Sequence, residues 1–587
     1  MIKKYHLITV PLKELFPKKK TNLLFLGKWC EIGNGLKYEI KKKIVDYPWS
    51  NHKKKERSYK KIFENYKFLK SFLSEYLNKI HKTNFSEKYW EQIFGNWLII
   101  FLTVYQDKFE FIKNLKNYKI KSFSFINLNI KNYVPKDSKS SLNLFQDDRW
   151  NGFLISILIR YFHPKINYKI KNFKFDTREK VEKKLNFKSL LLKIFSKIIF
   201  KTKTEKYFII SSYLGFLNEI KFQKSINNSL NFNQKISINN SFKINTKLRN
   251  IKIKDFKNLS QKDFLKLLLI KFIPQSYLEN YKEYKIFIEK KLNWEKNPQK
   301  IFTSNSHFYD DIFKIWLAEK RERKATLIIG QHGNGYIFPK FSSFFDRDVM
   351  CCDKFLFWGK KKFKNKKISQ NFNLIMSGKN NFKRNKKNIL MVQYYPYKYQ
   401  NRIISTEHTL SDIEENMNLQ KNFISGLKKD LKEKIIIRLG SPKIFSNDMY
   451  EYEKKQWLKF NNFSVFQNRY SPIKKSLKNS SFVVVNSLVS TVFAECLYYN
   501  IPCFVISNFN KNMFRTECYN DFLQLKKVGI IQNNSKEFSK LINKNYNNLE
   551  KWWNNRKIKK IIRNFNYNYN FKEVNPLEKL KSRIVFE

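Results

Sequence analysis

The sequence predicts an α/β chain: two doubly wound, Rossmann-like parallel sheets facing each other across a cleft, with helical additions in the N-terminal half. Three observations carry this expectation. Strand-like and helix-like stretches alternate from about residue 300 onward, the order that builds parallel sheets. Runs such as Phe482-Val483-Val484-Val485 are apolar at every position, as strands buried on both faces must be. Several of these runs end in loops of glycine or of helix-capping residues, where parallel sheets place ligands.

The first of these elements is Leu23-Leu24-Phe25-Leu26-Gly27, which reads as a strand. Residues 59–81 follow as a helix, with Phe63, Tyr66, Phe68 and Leu69 at mixed three- and four-residue spacing. Ser86 caps a second helix, Glu87 adds favourable charge at its N-terminus, and Trp90, Phe94, Trp97 and Phe101 form a core-facing stripe. Residues 120–260 are rich in Asn, Lys and Ser with short helices such as 189–200, and no chemistry is assigned to them. Order returns with strand 300–303, helix 310–323, strand 325–329 and strand 354–359. Residues 360–387 are basic and polar and read as an interdomain linker. Beyond it come strands 388–392, 434–438, 463–466, 482–485 and 502–506, with helices 412–432, 473–478, 491–499 and 515–527 between and after them. The expected division is one α/β domain over 1–375, carrying helical and variable insertions at about 120–290, and a second over 385–587 with terminal helices.

Composition bounds the function more loosely. The 587 residues include 116 Lys and Arg against 49 Asp and Glu, for a formal charge of +67. Lys, Asn, Ile, Phe and Tyr are abundant together while Gly and Pro are scarce, which an AT-rich genome produces without a polyanionic partner. The lysines run along the whole chain, so no specific nucleic acid is expected, although such a charge draws the protein to an anionic membrane surface. The six cysteines show no zinc spacing and are expected to be reduced and buried. Met1-Ile2-Lys3-Lys4 opens no apolar signal segment, and the longest apolar stretches fall short of the ~20 residues of a spanning helix. A cytoplasmic location, peripheral to the inner face of the membrane, is expected.

Three strand ends carry residues suited to chemistry. Three of the chain's 14 glycines fall in Gly330-Gln331-His332-Gly333-Asn334-Gly335-Tyr336, directly after a strand. Gly330, Gln331, Gly333, Asn334 and Gly335 would shape a substrate-binding loop, and His332 at its tip would be a general base toward an acceptor hydroxyl. A histidine that only hydrogen-bonds its loop is the plainer alternative. The second strand end, Arg438-Leu439-Gly440-Ser441, offers a guanidinium fork and close backbone approach for phosphate, from Arg438, Gly440 and Ser441. The third, Asn486 to Glu495, places Ser490 and Thr491 at a helix N-terminus suited to a diphosphate, with Glu495 one turn on for ribose hydroxyls. An ordinary N-cap would use the same Ser or Thr. No Asp-x-Asp pattern occurs in these loops, so neither a metal nor a cofactor is expected beyond the nucleotide-sugar donor substrate. A donor on one sheet and an acceptor with its base on the other is the GT-B glycosyltransferase arrangement.

The chain also resembles a known family. The resemblance runs through Phe25-Leu26-Gly27-Lys28-Trp29-Cys30, Tyr47-Pro48-Trp49, Leu77-Asn78-Lys79-Ile80-His81, Ser86-Glu87-Lys88-Tyr89-Trp90 and Gly95-Asn96-Trp97. It continues through Asp148-Arg149-Trp150-Asn151, Gly330-Gln331-His332-Gly333, Ser490-Thr491 to Pro502, Val528-Gly529-Ile530 and Trp552-Trp553. These segments are similar to the LIC-type family of transferases, associated with bacterial surface-polysaccharide and O-antigen biosynthesis. The chain departs from that pattern in Tyr47-Pro48-Trp49-Ser50-Asn51-His52, in Lys88-Tyr89-Trp90-Glu91 and in Gly95-Asn96-Trp97. The resemblance implies a GT-B-like transfer of a sugar to a cell-surface glycan precursor, free or lipid-linked. Transfer of a phospho-alditol, or non-catalytic polyanion binding, are the alternatives.

Overall fold

The computed structural model describes residues 3–18, 21–33, 42–173, 206–227, 238, 244–249, 259–292, 294–379, 381–394, 397–406, 409–440, 447–460, 465–467 and 470–586. The helix expected at 189–200 lies outside these residues.

Three parallel sheets organise the chain. The first holds β1 (Tyr5–Ile8), β2 (Leu23–Phe25), β3 (Lys42–Ile44), β4 (Ile120–Leu128) and β5 (Asn167–Phe173), in the order β3-β2-β1-β4-β5. The second holds β6 (Tyr207–Ile210), β7 (Lys300–Thr303), β8 (Thr326–Gly330), β9 (Lys354–Phe357) and β10 (Ile368–Gln370), in the order β10-β9-β8-β7-β6. The third holds β11 (Asn388–Val392), β12 (Ile435–Arg438), β13 (Val465–Phe466), β14 (Ser480–Val485), β15 (Cys503–Ile506) and β16 (Ile531–Gln532), in the order β13-β12-β11-β14-β15-β16. The expected α/β class is what is found. Strand order reverses in the first and third sheets, whereas the second runs in one direction among the described residues.

The N-terminal half therefore holds a whole parallel sheet where one strand and helices are expected from sequence. β1, β2 and β3 have only three or four residues, β3 with two exposed lysines in Lys42-Lys43-Ile44, and the longer β4 and β5 interleave polar side chains, so beyond Leu23-Leu24-Phe25 no apolar run announces the sheet. The stretch expected as a linker is built into the fold as well. Ile368–Gln370 forms β10 beside β9, and Phe372 and Leu374 are buried behind the second sheet.

Helix Glu87–Asn114 joins the first two sheets. Ser86 caps it by accepting from the Tyr89 amide. Its buried residues include Ile93, Phe94, Leu98, Ile100, Phe101 and Val104, so burial extends around the helix, well beyond the expected stripe. At Gly95 the buried Arg347 guanidinium lies where a side chain would project, with Nη2 only 2.2 Å from the place a Cβ would take.

A sheet wound in one direction leaves one face short of crossover helices. On the second sheet, Ile301, Leu327, Ile329 and Phe355 face the main core with helices Asp311–Glu322 and Ser343–Cys351. Ile209, Phe302, Ile328 and Leu356 face the other way and are covered by Phe222 of helix Phe216–Asn227 and by Leu580 and Ile584 of the last helix, Pro576–Val585. The chain's final segment thus crosses from the third sheet back to the second. On the way the Phe571 amide donates to the Trp358 carbonyl at 2.7 Å, and the Asn373 side chain donates to Asn570 at 2.7 Å. All six cysteines are buried and unpaired. Among the described residues no helix is long and apolar enough to cross a membrane.

Where that segment passes β9, a Cβ on Gly359 would sit 1.8 Å from the Asn568 carbonyl oxygen. Gly359→Ala should therefore destabilise the protein by about 1–3 kcal/mol in chemical denaturation, because backbone must move to admit one methyl. Gly333→Ala serves as the control. Its Cβ would meet nothing nearer than Thr491 Oγ1 at 3.6 Å, and its change should stay within about 0.5 kcal/mol.

Candidate active site between the second and third sheets

The carboxyl ends of the second and third sheets meet through their loops. Asn334, in the glycine loop after β8, locks the two together. Its amide donates to Thr491 Oγ1 at 3.2 Å, and its side chain donates to the Leu488 and Ser490 carbonyls, each at 3.1 Å. Gly335 takes φ +82° against Val489, whose Cβ lies 2.5 Å from where a Cβ would stand. Glycine is required there twice over, by the left-handed backbone and by the close approach. Gln331 is anchored at the loop's base: its side-chain oxygen accepts from the Trp358 amide at 3.0 Å, and its carbonyl accepts from Trp358 Nε1 at 2.8 Å. At Gly330, the last residue of β8, a side chain would strike Leu374 and Ser304.

This anchoring presents His332. The ring is half-buried, with Tyr336 Oη 2.9 and 2.8 Å from its two nitrogens, so one hydroxyl can serve either but not both at once. Tyr213, from the loop after β6, packs on the ring with centroids 5.4 Å apart. That loop is strained: Ser211 and Tyr213 take φ of 51° and 65°. Behind His332, the end of β7 supplies a second histidine. His307 Nε2 lies 2.8 Å from Asp348 Oδ1, both residues are buried, and His307 Nδ1 has no partner among the described residues. Desolvation pushes the His332 imidazole down to about 4, with the nearby Asp348 carboxylate opposing the shift and His307 adding to it. At neutral pH the ring is therefore uncharged.

The third sheet meets this cluster at its own reversal point, between β11 and β14. Asn486 laces the two strand ends: its oxygen accepts from the Tyr394 amide at 2.6 Å, and its nitrogen donates to Gln393 at 3.1 Å. Arg402 hydrogen-bonds the Tyr394 hydroxyl, stacks over Phe344 beside the second sheet, and is close enough for its charge to act on Tyr336.

The structure thus brings together Gly330, Gln331, His332, Gly333, Asn334 and Gly335 with Ser490 and Thr491. Glu495 follows on helix Thr491–Tyr498; it is buried, and that burial raises its carboxyl against the opposing charges of Lys379 and Lys474. Arg438 stands apart at the β12–β13 side. Its guanidinium donates to Ser476 (3.0 Å), Gln467 (3.3 Å) and the Ser471 carbonyl (2.6 Å). Gly440 is half-buried beyond it, and Ser441 lies outside the described residues.

Sequence reasoning missed His307, Asp348, Arg402 and Tyr394. His307 carried a usable signal, since Asn305-Ser306-His307 directly follows a strand. Asp348 sits inside helix Ser343–Cys351 and is marked by no local pattern.

The chain matches the family described as LIC12162 family transferase over residues 5–584. It belongs to that family. Among curated proteins none matches it. Its likenesses to solved structures are distant, each with a TM-score of 0.29. The accessory secretory protein 1, 2 and 3 structure of Streptococcus pneumoniae is 12% identical, over 52% of this chain and 57% of that one. The chain thus spans little more than half of that relative. WaaG, described as a glycosyltransferase involved in lipopolysaccharide biosynthesis, is 7% identical over 53% of this chain and 96% of its own. The glycosylation-associated Gap123 complex of Streptococcus agalactiae is 13% identical over 56% and 61%.

The environment of His332 sets its titration. In an NMR pH titration its imidazole should stay neutral to about pH 4 instead of titrating at the ordinary 6.5. The folded state then binds this proton less readily than the unfolded state. Its contribution to stability is full above pH 6.5 and is lost as pH falls toward 4. His332→Gln should flatten the acid-side stability loss in that window; a midpoint near 6.5 would refute the burial account.

Proposed function

We propose that this member of the LIC12162 family of transferases moves a sugar from a nucleotide-sugar donor to a surface-polysaccharide precursor, of O-antigen or capsule type. The observation that carries the reading is His332, held uncharged on Tyr336 at the carboxyl ends of one parallel sheet, opposite the strand-order reversal of another. Ligands of such sheets bind at strand carboxyl ends, and most readily where the order reverses.

In this reading the acceptor hydroxyl approaches from the second sheet and gives its proton to the unprotonated imidazole nitrogen of His332. The Tyr336 hydroxyl and the Ser304 backbone, both in hydrogen-bonding reach of the ring, fix its orientation. The Asp348 carboxylate, which favours the charged imidazole, stabilises the proton once taken. The acceptor oxygen bonds to the donor's anomeric carbon as the bond to the diphosphate breaks. The departing charge is met by the first amides of helix Thr491–Tyr498 and by Arg402. Ser490 and Thr491 flank the diphosphate, and Glu495 accepts from ribose hydroxyls. Arg438, already held by three protein acceptors, braces the edge of the third sheet and is set aside as a phosphate ligand. The charges are met by protein groups throughout, so the transfer proceeds without metal or cofactor. The basic chain works against the anionic inner face of the cytoplasmic membrane, where lipid-linked precursors are presented.

A thermal-shift panel of nucleoside diphosphates and nucleotide sugars should identify one stabilising nucleotide, with the shift diminished in Glu495→Ala. His332→Ala should retain that shift while losing about 10²–10⁴-fold in transfer rate, the span of a general base. Turnover unchanged in His332→Ala would remove the histidine from the mechanism.

A further inference from the structure

A second site lies on the far side of the third sheet's loops. The first sheet also ends its strands toward the third, and between them is a cavity of about 510 Å³. That volume is within the range of small-molecule sites. Its floor comes from the residues just past β2 and β3, including Trp29, Val45 and Tyr47, together with Phe111 of helix Glu87–Asn114. Its roof comes from Leu410, Ser411 and Asn418 of helix Leu410–Ser425 and from the preceding segment, through Lys398 and Gln400.

The chemistry of the lining runs against that of the chain. In a protein with 116 basic residues and 49 acidic ones, this cavity shows four carboxylates, Asp46, Asp107, Glu414 and Glu415, against two ammonium groups. Both ammonium groups are already matched. Lys28 pairs with Glu414, and the buried Lys398 pairs with Asp148 at 2.6 Å and Asp448 at 3.3 Å. The buried Asp107 is held by Lys108 at 2.6 Å and by the Tyr47 hydroxyl at 2.9 Å. Asp46 and Glu415 stand exposed at the rim. A phosphate or carboxylate entering here would face an excess of like charge with no unmatched cation to receive it. A ring bearing hydroxyl or ammonium donors on its edge and C–H groups on its face meets what is present: carboxylate and amide acceptors around it, and aromatic side chains below.

We propose that this cavity binds a neutral or amine-bearing glycosyl residue of the acceptor glycan and excludes anionic sugars and nucleotides. The assignment to the acceptor rests on the glycosyltransferase reading above. Its link to that site is the strand of chain that carries both. Lys398 and Gln400 enter the cavity, while Arg402 reaches the His332 cluster, and four residues span at most about 14 Å. An oligosaccharide seated in the cavity therefore extends toward the transfer site over one short segment.

Saturation-transfer NMR on the full chain, with glucose, glucosamine, glucuronate and UDP as probes, tests this. Glucosamine and glucose should bind, and glucuronate about tenfold or more weaker, a difference of ~1.4 kcal/mol. Asp46→Ala combined with Glu415→Ala should weaken glucosamine by a similar factor and narrow its preference over glucuronate. Asn418→Trp, which plugs the rim from an exposed position, should abolish sugar binding. Neither change should alter the nucleotide thermal shift. Sugar binding unchanged in both variants, or glucuronate or UDP favoured over glucosamine, would overturn the proposal. Sugar binding that behaves as expected in a protein without transferase activity would sink the glycosyltransferase reading and leave the cavity assignment standing.

Discussion

The first two sheets lean on one helix that water barely reaches. Glu87–Asn114 lies among helix His52–His81, the first sheet's helix Asp148–Phe162 and the second sheet's helices Asp311–Glu322 and Ser343–Cys351. A helix of that length buried around its axis contributes apolar area on every side, and it fixes the positions of whatever packs on it. The candidate active site inherits that fixity. Asn96 on this helix donates to the His307 carbonyl at 2.7 Å, and the Arg347 guanidinium laid over Gly95 belongs to the helix that carries Asp348. The dyad behind His332 is thus held from a rigid beam, the positioning that the proposed proton transfer calls for.

The third sheet is attached differently. Its contacts with the rest include hydrogen bonds at loop tips: Asn334 to the Leu488–Thr491 loop, Lys55 Nζ to the Thr406 carbonyl at 2.9 Å, and Gln146 to the Tyr399 carbonyl at 2.8 Å. Beside these hydrogen bonds the seam with the second sheet is apolar as well: Phe338 packs on Phe522 with ring centroids 4.5 Å apart and on Phe514 at 6.2 Å, within one continuous core. Segment 397–406 is common to both seams. Tyr399 packs on Trp29 at the first sheet while Arg402 stacks on Phe344 at the second, so one short segment touches both seams.

Much of this architecture was legible in the residues. The strands of the second and third sheets are apolar runs followed by glycine or capping loops, and the strand-end rule led directly to His332, Ser490 and Thr491. What stayed hidden shares a cause. In the first sheet β1 and β3 are three or four residues long, and the longer β4 and β5 mix lysine, serine and asparagine with their apolar residues, so period and hydropathy say little there. β10 lies in a basic stretch whose only visible trait is charge. Asp348, Arg402 and Tyr394 reach the site from a helix interior and from loops, and their roles arise from contacts between parts of the chain far apart in sequence. Arg438 shows the converse: a strand-end arginine with the right look is bound by its own neighbours, and only geometry reveals it.

The final helix gives the chain a particular history at the ribosome. One face of the second sheet, with Ile209, Phe302, Ile328 and Leu356, is made before the third sheet, yet part of its cover, Leu580 and Ile584, is made after it. Throughout translation of the third sheet, that apolar face stands partly open as a nascent surface, prone to the wrong partner. The second sheet's outer face closes only once residues 576–585 have been made. A chain interrupted before them leaves Ile209, Phe302, Ile328 and Leu356 without part of their cover.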